Sequence, residues 1–256
     1  MQRTSDEILK NCKLKLGNEF GSAFHGLSND WTWALLRLNE YRELFARKED
    51  VRFLNALTGG SFLWDVQQNF WEDLLLRVCR LTDPRKSGRK RNITIQALPP
   101  FVKKKEPKIF LEVQTLVNKA VAKADFARDW RNRRISHSAW DRTIEPAKPL
   151  AKASVQQVQD ALDAVHAVLN AINFRLLDAE LANMVGGQPR ATEFICRARQ
   201  LADSAKFIDD LIDGEGRTEL TNISVARNFL KKVGRKPTAE NLGLIMDSRE
   251  AARRFS

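Results

Sequence analysis

The chain has one tyrosine, three methionines, three histidines and three cysteines among 256 residues. Cys12, Cys79 and Cys196 are far apart and form no CxxC, so a disulfide framework or a cysteine zinc site is not expected, and the three read as buried thiols of a reducing compartment. No apolar run reaches the ~18 residues of a membrane span. The opening Met1-Gln2-Arg3-Thr4-Ser5-Asp6-Glu7 lacks the apolar stretch of a secretory signal. A soluble, cytoplasmic protein without a membrane partner is therefore the expectation. Walker loop, HExxH, GxSxG and histidine/carboxylate metal spacings are all missing, so no metal or cofactor is expected. Strand-like alternation is nearly absent, and there is no internal repeat.

What remains is a composition that folds: 43% apolar and 29% charged, close to globular averages. Lysine and arginine number 43 against 32 acids, a net charge of +11, which favours a polyanionic partner. Apolar residues recur at spacings of three and four in four segments, placing them on one helix face in each. These are Trp31, Ala34, Leu38, Tyr41, Phe45; then Leu63, Val66, Phe70, Leu74, Val78, Leu81, with Ser61 as N-cap and Asp83-Pro84 as terminator; then Ile109, Val113, Leu116, Ala120, Ala124, Ala127, Trp130; and Val155, Val158, Leu162, Val165, Leu169, Ile172, Leu176 after the cap Ser154. Four such helices bury their stripes against one another, so an all-α four-helix bundle is predicted over residues 30–185. Residues 1–29 read as an N-terminal helical arm followed by a turn-rich link through Gly17, Gly21 and Gly26. Gly186-Gly187 marks the start of a C-terminal helical extension, 186–256, with a loosely ordered tail. Between the second and third helices, residues 85–108 hold nine lysines and arginines against Glu106 alone, a long basic connection that includes Lys90 and Arg91.

The third stripe runs into Arg128-Asp129-Trp130-Arg131-Asn132-Arg133-Arg134-Ile135-Ser136-His137-Ser138. Arg131-Asn132, four residues and His137 resemble the Arg-(four to six residues)-His signature of HEPN-domain ribonucleases. Tyr41-Arg42-Glu43-Leu44-Phe45, Cys79-Arg80-Leu81-Thr82-Asp83-Pro84 and Asp129 to His137 resemble blocks of the AbiU-like abortive-infection branch. The resemblance covers about residues 30–180 and does not reach 1–29 or 187–256. It implies a HEPN-type bundle acting as a homodimeric, metal-independent endoribonuclease, a toxin-like antiphage effector that a restraining antitoxin or regulatory protein can hold in check. On the matching positions it implies that Arg131, Asn132 and His137 are catalytic.

The residue chemistry agrees with such a reaction. Metal-free RNA cleavage needs a base for the 2′-OH, an acid for the departing 5′-oxygen, and positive charge on the phosphorane. Histidine suits both proton roles, and arginine's fork matches two phosphate oxygens. Of His25, His137 and His166, only His137 lies among arginines, and a second copy of the chain would supply a second imidazole. On an ideal helix Arg131 and His137 stand 120° apart, so either the helix loosens near Ser136 or Arg131 reaches around. Arg133 and Arg134 share the His137 face and remain alternatives for the phosphate role. Arg128, Trp130, Lys90 and Arg91 complete the expected RNA-binding set, with Trp130 and Trp140 bracketing the motif and Trp31, Trp64 and Trp71 assigned to the core. His166 reads as a packing histidine, and Glu72 and Asp73 as a polar helix face. The same arginines also fit a solvated basic helix end. The same bundle also fits a non-catalytic RNA- or nucleotide-sensing module, or a DNA-binding regulator that reads through residues 187–256.

Overall fold

The computed structural model describes residues 4–135, 149–181 and 190–212, with side chains to residue 203. The chain divides into two compact units, Met1–Gln188 and Pro189–Ser256. In the first, α1 (Ser5–Leu16) opens with Thr4 and Glu7 exchanging backbone and side-chain hydrogen bonds, a reciprocal cap. Gly17 turns the chain at φ 95° into α2 (Asn18–Phe45), so that α1 folds back on α2. Then follow α3 (Lys48–Thr58) and α4 (Ser61–Thr82), a two-stranded hairpin of β1 (Lys86–Ser87) and β2 (Lys90–Arg91), α5 (Leu98–Lys105), α6 (Phe110–Lys123), α7 (Asp125–Trp130) and α8 (Val155–Ile172). The second unit contains α9 (Arg190–Ile212), where Arg197 pairs with Glu193 one turn earlier.

The four expected stripes are the core. α6 lies along α8, and α2 packs on both α4 and α8. Leu38, Leu74, Val78, Leu81, Val113, Val117, Val158, Leu162, Val165 and Ile172 are all buried. Trp31 sits at their centre, with its indole N–H donating to the Leu162 carbonyl at 2.9 Å and its ring over His166. His166 in turn reaches the Leu181 carbonyl at 2.7 Å, the hydrogen-bonded packing role expected of it. No helix among the described residues is long and apolar enough to cross a membrane.

Several local expectations are corrected. The turn-rich link through Gly21 and Gly26 is the unbroken first half of α2. Gly21 is there because α1 crosses so closely that a Cβ would stand 2.5 Å from the Cys12 carbonyl oxygen. Gly60, not Ser61, caps α4, and no side chain bonds at that end. Trp64 is 59% exposed rather than core, while its neighbour Leu63 on the same turn is buried. The basic connection is ordered: Lys86 pairs with Arg91 and Ser87 with Lys90 around Gly88, at φ 57°. Pro99 and Pro100 do not break structure here, because they fall in the first turn of α5, where missing N–H groups have no intrahelical partner anyway.

Candidate functional site

The third helix is not continuous. It stops at Lys123, turns at Ala124, resumes as α7, and from Arg131 to Ile135 widens into a π turn. π turns are rare and often mark functional sites. The loosening anticipated near Ser136 thus begins at Arg131 itself. Arg128 bridges the break. Its guanidinium donates to the Val121 carbonyl at the end of α6, to Asp125 at 2.5 Å and to the Thr82 hydroxyl at 3.1 Å. One cation thereby joins the Ala124 N–H on a helix-end carbonyl and ties α6 and α7 to the end of α4.

Each motif arginine meets an acid. Arg131 donates through Nη1 to Asp83, just beyond α4, and through Nε to the Asn132 side-chain oxygen at 3.0 Å. Arg133 pairs with Asp129 at 3.3 Å, as the four-residue spacing predicts, and also donates to the Pro149 carbonyl. Arg134 lies 3.7 Å from Glu72 and covers the Trp130 ring, while the Trp130 N–H donates to Ala151. Asp129 also receives the Ala151 N–H at 2.8 Å, fixing the chain as it approaches α8. The contacts of Arg131 and Arg134 on α4 are eleven residues apart, or about 16 Å along a helix. The guanidinium groups therefore fan apart instead of forming one patch, and local charge is nearly balanced. This arrangement orients cations more than it accumulates them. The Arg131 guanidinium is thus held through two of its nitrogens, with its side chain 24% exposed.

Asp83 and Glu72 are the residues sequence reasoning missed. Asp83 was read as a helix terminator and Glu72 as polar surface, and each holds a motif arginine. The signal for Asp83 was its place in the Cys79 to Pro84 block; nothing in the sequence tied Glu72 to Arg134. Cys79, one turn before Asp83, is buried, and burial pushes its thiol up to about 11 against the opposing influence of Arg131. It is therefore a neutral packing group. His137 and Trp140 lie outside the described residues. Lys90 and Arg91 are exposed on β2, and Arg91 bonds Glu19 at 2.8 Å. Among the described residues no cluster of histidine, cysteine, aspartate and glutamate is arranged to hold a metal ion.

A helical bundle whose third helix leads, in sequence, into an Arg-Asn-(four residues)-His segment is the layout of a HEPN-type protein. The family model HEPN_AbiU2, described as AbiU2, matches residues 17–187. That is more than half of the chain, which therefore belongs to this family. The match begins at the Gly17 turn, so it takes in all of α2 where the sequence resemblance had started near residue 30. No curated protein and no solved structure matches the chain.

Proposed function

We propose that this abortive-infection HEPN family member is a metal-independent endoribonuclease. The 2′-OH of the substrate attacks its own 3′-phosphate, the bond to the 5′-oxygen breaks, and the products are a 2′,3′-cyclic phosphate and a 5′-OH. His137 moves the protons: one copy takes the 2′-OH proton and the other donates to the leaving oxygen, which is why the active form is a homodimer. Arg131 meets the charge on the phosphorane and Asn132 orients it. Arg133, Arg134, Trp130, Lys90 and Arg91 bind RNA, with Arg128 holding the helix end in place.

The observation that supports this reading is the clamp on Arg131. A guanidinium held by Asp83 and Asn132 is already oriented before a phosphate arrives, and a preorganised cation stabilises a transition state more than a mobile one. The exposed basic hairpin adds phosphate contacts, which supply affinity without sequence information. A toxin-like role in the cytoplasm, restrained by a second protein, fits an activity of this kind.

Purified full-length protein incubated with RNA in EDTA tests the proposal. Cleavage that persists in EDTA and disappears in a folded His137→Ala variant is the expected result. Cleavage that needs added metal, or that survives His137→Ala, refutes it. Salt-sensitive RNA binding with no products would favour the non-catalytic sensing reading instead.

A further inference from the structure

Glu19 and Phe20, neighbours on the first turn of α2, each meet a different part of the basic connection. Glu19 accepts from Arg91 of the hairpin at 2.8 Å, and Phe20 stacks on Phe101 of α5, with ring centroids 5.3 Å apart and planes within 6° of parallel. Folding therefore gathers at one end of α2 two groups of cations that the sequence separates by residues 92–102. Arg85, Lys86, Arg89, Lys90 and Arg91 are exposed on the hairpin and its approach; Lys103, Lys104, Lys105 and Lys108 are exposed at the end of α5 and in the turn after it. Glu106 is the one acid in residues 85–108. Lys103 lies over the Phe110 ring, 5.3 Å from its centroid, which leaves Lys104, Lys105 and Lys108 as exposed cations without that contact.

The same helix measures the way to the motif. Asp30 pairs with Arg80, one turn before Asp83, and Asp83 holds Arg131. Glu19 lies eleven residues before Asp30 on α2, about 16 Å along its axis. A cleft of about 760 Å³ joins the two levels, with Asp83 and Arg80 on one side and Ser87, Arg91 and Asn92 of the hairpin on the other. Lys104 and Lys105 stand 100° apart around α5 and Lys108 falls in the next turn, a spread that suits a run of phosphates more than one small anion. The α5 C-terminus favours cations at 103–105 by itself, but that field does not extend to Lys108 or to the hairpin. Each phosphate such a surface neutralises releases counterions and adds affinity without reading sequence.

We propose that Lys104, Lys105 and Lys108 form an RNA anchor apart from the cutting site: they hold the phosphate backbone of a long strand that follows the hairpin wall to its cut point at Arg131. The inference takes its ligand class from the ribonuclease reading above. Its consequence is selection by length. A strand that spans both places binds tightly, and a short one meets the motif alone. Contacts remote from the cut are the same in the ground state and the transition state, so the anchor acts on KM more than on kcat.

The test compares three forms of the full chain, all carrying His137→Ala to prevent turnover. One has no further change, one adds Lys104→Gln, Lys105→Gln and Lys108→Gln, and a control adds Lys48→Gln, Arg52→Gln and Lys119→Gln, three exposed cations on α3 and α6. Fluorescence anisotropy follows a labelled uridylate strand of some two dozen nucleotides from low to high salt. In the anchor variant the plot of log affinity against log salt is shallower by about 2, the value for three single-strand phosphate contacts, and binding near 0.1 M salt is about 10–100-fold weaker. The control stays close to the parent. An unchanged slope in the anchor variant overturns the proposal, as does an equal reduction in the control, which would reflect only the field of the whole chain. Binding of phosphatidylserine vesicles that the anchor changes abolish, with the RNA slope unmoved, would give the patch to a lipid surface and overturn it too. With His137 intact and EDTA present, the anchor changes shrink the ratio of kcat/KM for a long strand to that for a tetranucleotide with the same cut; a ratio that does not move also overturns the proposal. Products together with an unchanged salt slope remove only the anchor, and a reduced slope without products removes only the nuclease.

Discussion

Asp83 and Arg131 lie 48 residues apart, and their pairing positions the residue assigned to the phosphorane. Their side chains are 22% and 24% exposed, between open surface, where a pair contributes at most ~1 kcal/mol, and full burial, where removing one partner costs ~3–5 kcal/mol. Asp83→Asn keeps the shape but leaves the guanidinium facing a neutral amide. Asn132 and the exposed quarter of the side chain soften the loss, so it is about 1–3 kcal/mol. Arg131→Gln leaves a carboxylate with no partner on either oxygen and destabilises by a similar amount. With both replaced no charge is stranded, so the double variant is more stable than the sum of the singles predicts, with a coupling of about 1–2 kcal/mol. Urea unfolding of the four proteins, followed by helical circular dichroism, measures this directly. A coupling indistinguishable from zero would show that the two groups are independent surface charges and would refute the clamp. In the cleavage assay the same Asp83→Asn protein loses kcat with little change in KM, because Arg131 remains present but is no longer aimed.

Other expectations follow from single features of the fold. Gly21→Ala and Gly26→Ala have opposite signs in one helix: the first forces a Cβ to 2.5 Å from the Cys12 carbonyl and destabilises by several kcal/mol, while the second gains about 0.5–1 kcal/mol of helix propensity in open space, and thermal unfolding distinguishes them. Trp31→Phe removes the indole bond to the buried Leu162 carbonyl and costs about 1–3 kcal/mol in urea unfolding; a neutral result would mean the carbonyl finds another donor. Cys79 has its pKa raised by burial to about 11, so the folded state holds a proton that the unfolded chain releases near pH 9. Stability is therefore intact below pH 9 and falls as pH rises toward 11, by about 2–3 kcal/mol. In Cys79→Ala that part of the alkaline slope is absent.

The bundle was legible because burial leaves a periodic trace: Val158, Leu162, Val165, Leu169 and Ile172 are spaced as a helix spaces them, and all five are buried. The interruption of the third helix left no such trace, since Ala120, Ala124, Ala127 and Trp130 keep the stripe going straight through it. At the break the Arg128 guanidinium bonds the Val121 carbonyl and Thr82, tertiary contacts that leave no periodic trace. The helix α5 inside the basic connection left little trace either: Pro99-Pro100 interrupts the pattern, yet buried Ile95, Leu98 and Val102 hold the segment on the core with the prolines in a first turn. In the site, the pair of Asp129 and Arg133 could be read from local spacing, and Arg131 from the family resemblance. Their partners Glu72 and Asp83 could not, because only folding brings these residues of α4 and its end to arginines far along the chain.

The central claim is that RNA is cut by its own 2′-hydroxyl beside Arg131 and His137. A substrate carrying a single 2′-deoxynucleotide on the 5′ side of a mapped cut, with product termini read by mass spectrometry, tests it most directly. The all-ribose strand yields a 2′,3′-cyclic phosphate and a 5′-hydroxyl at that position, and the deoxy-substituted strand stays intact there. A cut at the deoxy position, or products ending in a 5′-phosphate, would contradict the account.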